Sequence, residues 1–284
     1  MSRVNSSEPI SPKIFVHIKP KKGWQLIDFR ELTEYRDLFY FLVMRDIKVK
    51  YKQTVLGGLW AIIQPFFTMV VFTLFFGKLA RMPSDGIPYP IFSYSALVPW
   101  AYFAHCIAGS GSSLIGNTSL ISKVYFPRLI IPFTPVLAGL LDFCIAFLVL
   151  IGMMLYYQMY PTLFALLLPF LVALMMMSAS GVGMILGALN AKYRDIGYTI
   201  PFIVQLWMFA SPIVYPASMI PEKYRVFYAL NPMAGVIEGF RSALLGTTEF
   251  PIIMIAISAI VSCVLFLLGL FYFKQTERFF ADII

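Results

Sequence analysis

Five stretches of this chain carry almost no formal charge, and no other feature constrains its fold as strongly. They are 53–77, 86–122, 129–191 interrupted only by Asp142, 196–221 and 250–273. Hydrocarbon excludes unpaired charge, and a helix needs about 20 mainly apolar residues to cross it. The 63 residues from 129 to 191 are too many for one crossing. Within them Tyr156-Tyr157-Gln158-Met159-Tyr160-Pro161 reads as an aromatic interfacial turn. The pattern predicts an all-α membrane protein with six transmembrane helices, near 57–77, 88–116, 129–157, 161–190, 196–219 and 250–273.

Orientation follows from the cations. Arg45-Asp46-Ile47-Lys48-Val49-Lys50-Tyr51-Lys52 abuts the first run, and positive charge beside a span resists translocation. With both termini inside, 17 Lys and Arg fall on the inner side and 5 on the outer. The formal net charge of +8 would suggest nucleic acid in a soluble protein, but 11 of the 22 basic residues precede residue 53. That basicity suits anionic headgroups, and no nucleic-acid partner is expected. Residues 1–22 are polar, with Pro9, Pro12 and Pro20, and lack the apolar core of a cleavable signal peptide.

Two segments depart from plain crossings. Residues 29–51 place Phe29, Leu32, Tyr35, Phe39, Leu42 and Ile47 at mostly helical spacing, with Glu31, Glu34, Asp37, Arg45 and Lys48 off that stripe. Such a helix lies in the headgroup plane or packs on a partner. The organisation is therefore a polar cytoplasmic arm (1–27), an amphipathic interface helix (28–52) and a transmembrane domain (53–284). Between spans five and six, 220–249 holds two apolar pieces too short to cross, parted by Asn231-Pro232. A re-entrant helical hairpin dipping back from the outer surface fits both facts, and buried in protein or lining a cavity it forms a candidate outer gate. On its second piece Glu238 and Arg241 are spaced to pair across one turn, facing that cavity.

Chemistry is sparse. No phosphate-binding loop, catalytic triad or metal-ligand spacing occurs, so the chain is not expected to be an enzyme. Cys106, Cys144 and Cys263 read as buried packing residues, and His105 as a satisfied core histidine. Gly109, Gly111 and Gly116, and Gly181, Gly183 and Gly187, read as sites of close helix approach. Asp142 is the one carboxylate inside a span and serves either as a polar anchor between helices or, with His105, as a proton relay. The relay reading would make the chain a proton-coupled secondary transporter, although no inverted repeat is visible. A non-transporting scaffold would leave the re-entrant segment lining nothing.

The residues also carry a resemblance. Arg45 to Gly57 with Trp60 and Gln64-Pro65, then Ile121-Ser122-Lys123-Val124-Tyr125-Phe126-Pro127-Arg128-Leu129, then Ala191-Lys192-Tyr193-Arg194-Asp195-Ile196 resemble the permeases of ABC transporters that export polysaccharides. So do Ser211-Pro212-Ile213-Val214-Tyr215-Pro216, Asn231-Pro232-Met233 with Arg241, and Glu277 to Asp282. That family includes exporters of O-antigen, capsule-type polysaccharide and teichoic acid. The resemblance implies a channel made by two copies of the chain in the bacterial inner membrane, with cytoplasmic termini and a lipid-linked glycan as substrate. It also implies two copies of a separate ATPase, which would bind ATP and magnesium, so no cofactor is expected here. Lys123, Tyr125, Phe126 and Arg128 would transmit the ATPase stroke, with Arg194 as a second contact.

A glycan path needs aromatic faces for sugar C–H surfaces and scattered polar groups for hydroxyls. Tyr198, Phe202, Gln205 and Phe209 form such a stripe on span five, and Trp60 and Phe67 lie seven apart on span one. Aromatic residues make up 17% of the chain, so the same stripes could equally face lipid or helix core. Trp207, on another face, reads as a packing residue.

Overall fold

The computed structural model describes residues 33–52, 57–246, 249–277 and 280, and among them it contains no strand. Helix α1 spans Arg36–Lys52. After a 3₁₀ turn at Gly57–Leu59, α2 runs Trp60–Phe72 and continues as a π-helical stretch, Thr73–Leu79. There follow α3 (Tyr89–Gly116), the short α4 (Thr118–Lys123), α5 (Ile130–Tyr156), α6 (Leu168–Lys192) and α7 (Ile196–Phe209). The chain then forms α8 (Glu222–Tyr228), α9 (Pro232–Leu245) and α10 (Ile252–Glu277). The arm 1–27, and Phe29 and Leu32 of the expected amphipathic stripe, lie outside the described residues.

Five helical stretches are long and apolar enough to cross a membrane: Gly57–Leu79, Tyr89–Gly116, Ile130–Tyr156, Leu163–Lys192 and Ile252–Glu277. The fifth expected span, 196–219, is helical only to Phe209 and then turns irregular through the 3₁₀ turn Ala217–Met219. Ser211-Pro212 and Pro216 explain the stop, because proline has no N–H to donate and disfavours helix in the residue before it. Fourteen helical residues cover about 21 Å, short of a hydrocarbon core of about 30 Å, so α7 by itself is too short to cross, and most of the irregular stretch that follows it is buried in protein.

Helix α3 is the hub. It packs against α5 and α6, and against α2, α7 and α9, and most of its residues are buried, whereas in the other four long stretches most are only partly buried or exposed. Its polar groups are satisfied there: Tyr102 donates to the Val136 carbonyl at 2.8 Å, Ser110 to Pro132 at 2.6 Å, and Ser95 to Phe92 at 2.8 Å. Buried hydroxyls bonded in this way cost little and fix helix register.

Helix α1 does not lie alone on its apolar side. Leu42 is buried with Leu129, Ile130 and Ile131 at the start of α5, while Lys50 and Tyr51 reach Asp142, about three turns further along α5. A Cβ on Gly58 would stand 2.7 Å from the Tyr51 ring and 3.8 Å from Ile145, so α2 begins level with the turn after Asp142.

Helices α6 and α10 cross at a point where only glycine fits. A Cβ on Gly181 would meet the Leu265 carbonyl oxygen at 2.5 Å, and Gly269 faces the Gly181 backbone directly. Gly109, Gly111, Gly183 and Gly187 are also sites of close approach, whereas Gly116 opens on free space. Gly181→Val should push α6 and α10 apart and lower stability by about 1–3 kcal/mol, read as a drop in melting temperature in detergent. An unchanged melting curve would mean the two backbones do not touch.

Candidate functional site

At one end of the bundle, α9 is capped by its own sequence. The Asn231 side chain accepts from the Met233 N–H at 3.0 Å, Pro232 occupies the first turn, and Gly246 closes the helix at φ 66°. Every residue of α9 is buried, against α3, α6 and α10, so a helix too short to cross is enclosed by protein as expected. Glu238 and Arg241 do pair, at 2.7 Å, but they do not face a cavity. Arg241 is 0% exposed, its guanidinium 3.7 Å above the Phe92 ring, and its Nη2 donates to the Pro212 carbonyl at 2.9 Å. Glu238 also accepts from the Ala217 N–H at 2.9 Å. The pair is a buried fastening for residues 210–217 rather than a gate lining.

Asn231 joins the same fastening. Its side chain donates to the Ala210 carbonyl at 3.1 Å and to the Ser211 hydroxyl at 2.9 Å, and accepts from the Trp207 indole at 2.8 Å. Trp207 packs edge-on to Phe103 at 5.1 Å, in keeping with a packing role. The Tyr89 hydroxyl holds the Val214 carbonyl at 2.8 Å. Spacing alone predicted the ion pair, but only the fold shows that its target is the broken end of α7.

At the opposite end of the bundle, α4 and the loop after it expose Ser122 to Tyr125 and bury Ile121, Phe126 and Pro127. Lys123 is exposed and Tyr125 is 66% exposed, as a docking surface requires. Phe126 is 4% exposed, in a cluster with Leu42, Leu129, Ile130 and Phe273, so it holds the loop onto the bundle and is not presented to a partner. Arg128 is also turned inward, donating to the Glu277 carbonyl at 2.5 Å and joining the loop to the end of α10. Arg194 is exposed in the turn between α6 and α7, beside the exposed Tyr193.

The six proposed path residues keep their faces outward. Trp60 and Phe67 on α2, and Tyr198, Phe202, Gln205 and Phe209 on α7, are all exposed, Tyr198 at 87%. Both helices pack on α3. The exposed surface of α10 is mainly aliphatic, with Ile252, Ile253, Ile260, Val264, Leu267 and Leu268, whereas of the large apolar side chains exposed on α2 and on α7 three in four are aromatic.

Asp142 accepts from the Lys50 ammonium and the Tyr51 hydroxyl, both on α1. Burial, and then the bond to this carboxylate, pushes the Tyr51 phenol above its ordinary value, so it remains a donor. Asp142 is thus tied between two helices in the manner of an anchor. His105 is not a core histidine, because it is exposed on a cleft of about 290 Å³ between α1, α3 and α5, which Asp142 also lines. Cys106 is buried, but Cys144 and Cys263 lie on exposed faces rather than in the core. Among the described residues no group of His, Cys, Asp or Glu could hold a metal ion.

A multi-pass helical membrane protein results, with an enclosed short helix at one end and a partly exposed loop at the other. The chain belongs to the ABC-2 type transporter family, whose model matches residues 37–245, from the start of α1 to the end of α9. It is 31% identical over 216 residues to the O-antigen export system permease protein RfbA of Myxococcus xanthus, covering 75% of this chain and 82% of that protein. It is 31% identical over 250 residues to the protein of the same name from Klebsiella pneumoniae, covering 87% and 95%. Similarity extends to the polysialic acid transport protein KpsM of Escherichia coli, 25% identical over 209 residues, 72% of this chain and 80% of that one. The chain is a transport protein, not an enzyme.

Two predictions follow from this geometry. Glu238→Ala leaves a buried guanidinium without its counter-charge and should cost about 3–5 kcal/mol, whereas a double change to Glu238→Ala with Arg241→Met should cost less. Thermal unfolding of the purified variants decides it, and a silent single variant would mean the pair is solvated. In the loop after α4, Phe126→Ala should lower stability by about 3 kcal/mol or more, while the exposed Tyr125→Ala should lower it clearly less. Equal melting of the two would contradict their opposite orientations.

Proposed function

We propose that this chain is the channel subunit of an ATP-driven exporter that carries a lipid-linked polysaccharide from the cytoplasmic side across the bacterial inner membrane. O-antigen is the favoured cargo, and capsule polysaccharide or teichoic acid is the alternative. Two copies enclose the path, and two copies of a separate ATPase bind ATP and magnesium and dock at Lys123, Tyr125 and Arg194. Both termini lie in the cytoplasm, the side that the 17-to-5 distribution of basic residues favours.

The observation that carries this reading is the pair of outward aromatic faces on α2 and α7, next to α3, in a chain of this family. Rings with an occasional amide such as Gln205 let a sugar chain slide, because C–H faces meet aromatic surface and no charge traps the hydroxyls. The printed names of the relatives point the same way for cargo. The family counts against the proton-coupled alternative, and Asp142 is engaged by Lys50 and Tyr51.

The test is export by cells carrying Tyr198→Ala with Phe202→Ala. Surface glycan should fall severalfold, while the protein stays inserted and its complex with the ATPase still hydrolyses ATP. Undiminished export would remove α7 from the path. Tyr125→Ala should act differently, weakening ATPase co-purification or uncoupling hydrolysis from export, since truncating an aromatic contact commonly costs about 2 kcal/mol. Full coupling with that variant would place the docking surface elsewhere.

A further inference from the structure

The cleft between α1, α3 and α5 belongs to none of the surfaces assigned so far. It extends from Gly116, at the inner end of α3, to Asp142, level with the start of α2. The first membrane span begins there, flanked by Lys48, Lys50 and Lys52, so this is the level of the cytoplasmic headgroups. The cleft is therefore a polar notch beside the exposed apolar side chains of Ile115 and Leu141.

Its charges balance. Arg45 and Lys50 line it as cations, and Asp46 and Asp142 as carboxylates. They pair among themselves, Arg45 with Asp46 at 2.8 Å and Lys50 with Asp142. On the α3 side stand two exposed polar groups, His105 and Ser112. The Ser112 hydroxyl donates to its own helix at Ala108, 2.8 Å, which leaves the oxygen able to accept. The cleft holds about 290 Å³, the lower part of the range of small-molecule pockets.

We propose that this cleft binds the headgroup of a cytoplasmic-leaflet phospholipid bearing both a phosphate and a free ammonium, a phosphoethanolamine head. The phosphate takes Arg45 and Lys50, and the ammonium takes Asp46 and Asp142, so each ion pair is exchanged without leaving a charge unmatched. A head with phosphate alone would stand against two uncompensated carboxylates. A choline head has no N–H to give them, and a diphosphate would add still more negative charge. From Asp142 the exposed residues Leu141, Leu148 and Leu155 run outward along α5 at heptad spacing, a track for the acyl chain. Held in this way, the lipid joins α1 to α3 as well as to α5.

The experiment uses the full-length protein in nanodiscs of phosphatidylglycerol doped with a photoreactive phosphatidylethanolamine. Label should map to α1 and α3 at the cleft, and unlabelled phosphatidylethanolamine should compete at least about tenfold better than phosphatidylglycerol, phosphatidylcholine or a polyprenyl diphosphate. Ser112→Trp, which fills the notch from an exposed position, should cut labelling about tenfold with elution profile and melting unchanged. Asp46→Asn removes one partner of the ammonium and should narrow the preference over phosphatidylcholine, so it tests the site even where the tryptophan variant fails to fold. Equal competition by phosphatidylglycerol overturns the zwitterion assignment. Best competition by the polyprenyl diphosphate overturns it in favour of a substrate site, and so does labelling untouched by both variants in favour of a site elsewhere. The binding does not depend on which glycan is exported, so its failure and that of the export reading are separable.

Discussion

A fully buried guanidinium is the interaction on which the outer half of this bundle depends. Arg241 has surrendered its water, a loss that only close counter-charge, carbonyl and ring contacts can offset. Glu238, the Pro212 carbonyl and the Phe92 face supply them at Nη1, Nη2 and the guanidinium face, while Nε is buried without a hydrogen-bond partner among the described residues. Those contacts also pin residues 210–217, the irregular chain that follows α7. Buried backbone without helical bonds needs other partners, and here Glu238, Arg241, Asn231 and Tyr89 provide several of them. The short helix α9 is thus a brace for a broken span.

The inner end is organised by a different economy of charge. Asp142 receives Lys50 and Tyr51, which seats the end of α1 against α5 at the point where the chain turns into its first span. One layer below, Leu42, Phe126 and Phe273 share an apolar cluster, and Arg128 reaches the end of α10. Neighbouring residues of one loop therefore do opposite work, Tyr125 outward and Phe126 inward. A displacement of that loop would be felt by α1 and α10 together, because both are packed on its buried side.

Much of this was legible beforehand. The long helices fall within a few residues of the charge-free runs, because hydrocarbon thickness imposes a length and a polarity that a one-dimensional pattern displays directly. The fifth span was overextended although the signal was present: Ser211-Pro212 and Pro216 stand four residues apart inside 196–219 and together oppose helix there, whereas the single Pro201 is carried inside α7. Glu238 and Arg241 were recognised as a pair from i, i+3 spacing, yet spacing says nothing of what surrounds a pair. Their being the only charges in 232–246 was the available hint of burial. His105, Cys144 and Cys263 were assigned to the core because they sit in apolar runs, but apolar runs in a membrane protein have lipid-facing and cleft-facing sides as well.

The sequence by itself determined that the chain is a helical membrane protein, which side its cations favour, and where most helices begin and end. These properties are local, set by transfer of each residue between water and hydrocarbon and by proline and asparagine at helix ends. Only the tertiary structure decided that α3 is the hub, that Asp142 answers to Lys50 and Tyr51 some 90 residues earlier, and that Arg241 holds Pro212. Those choices depend on which face of each helix meets which neighbour. In a bundle where nearly every face is apolar, hydropathy leaves that choice open, and a few polar contacts and glycine crossings make it.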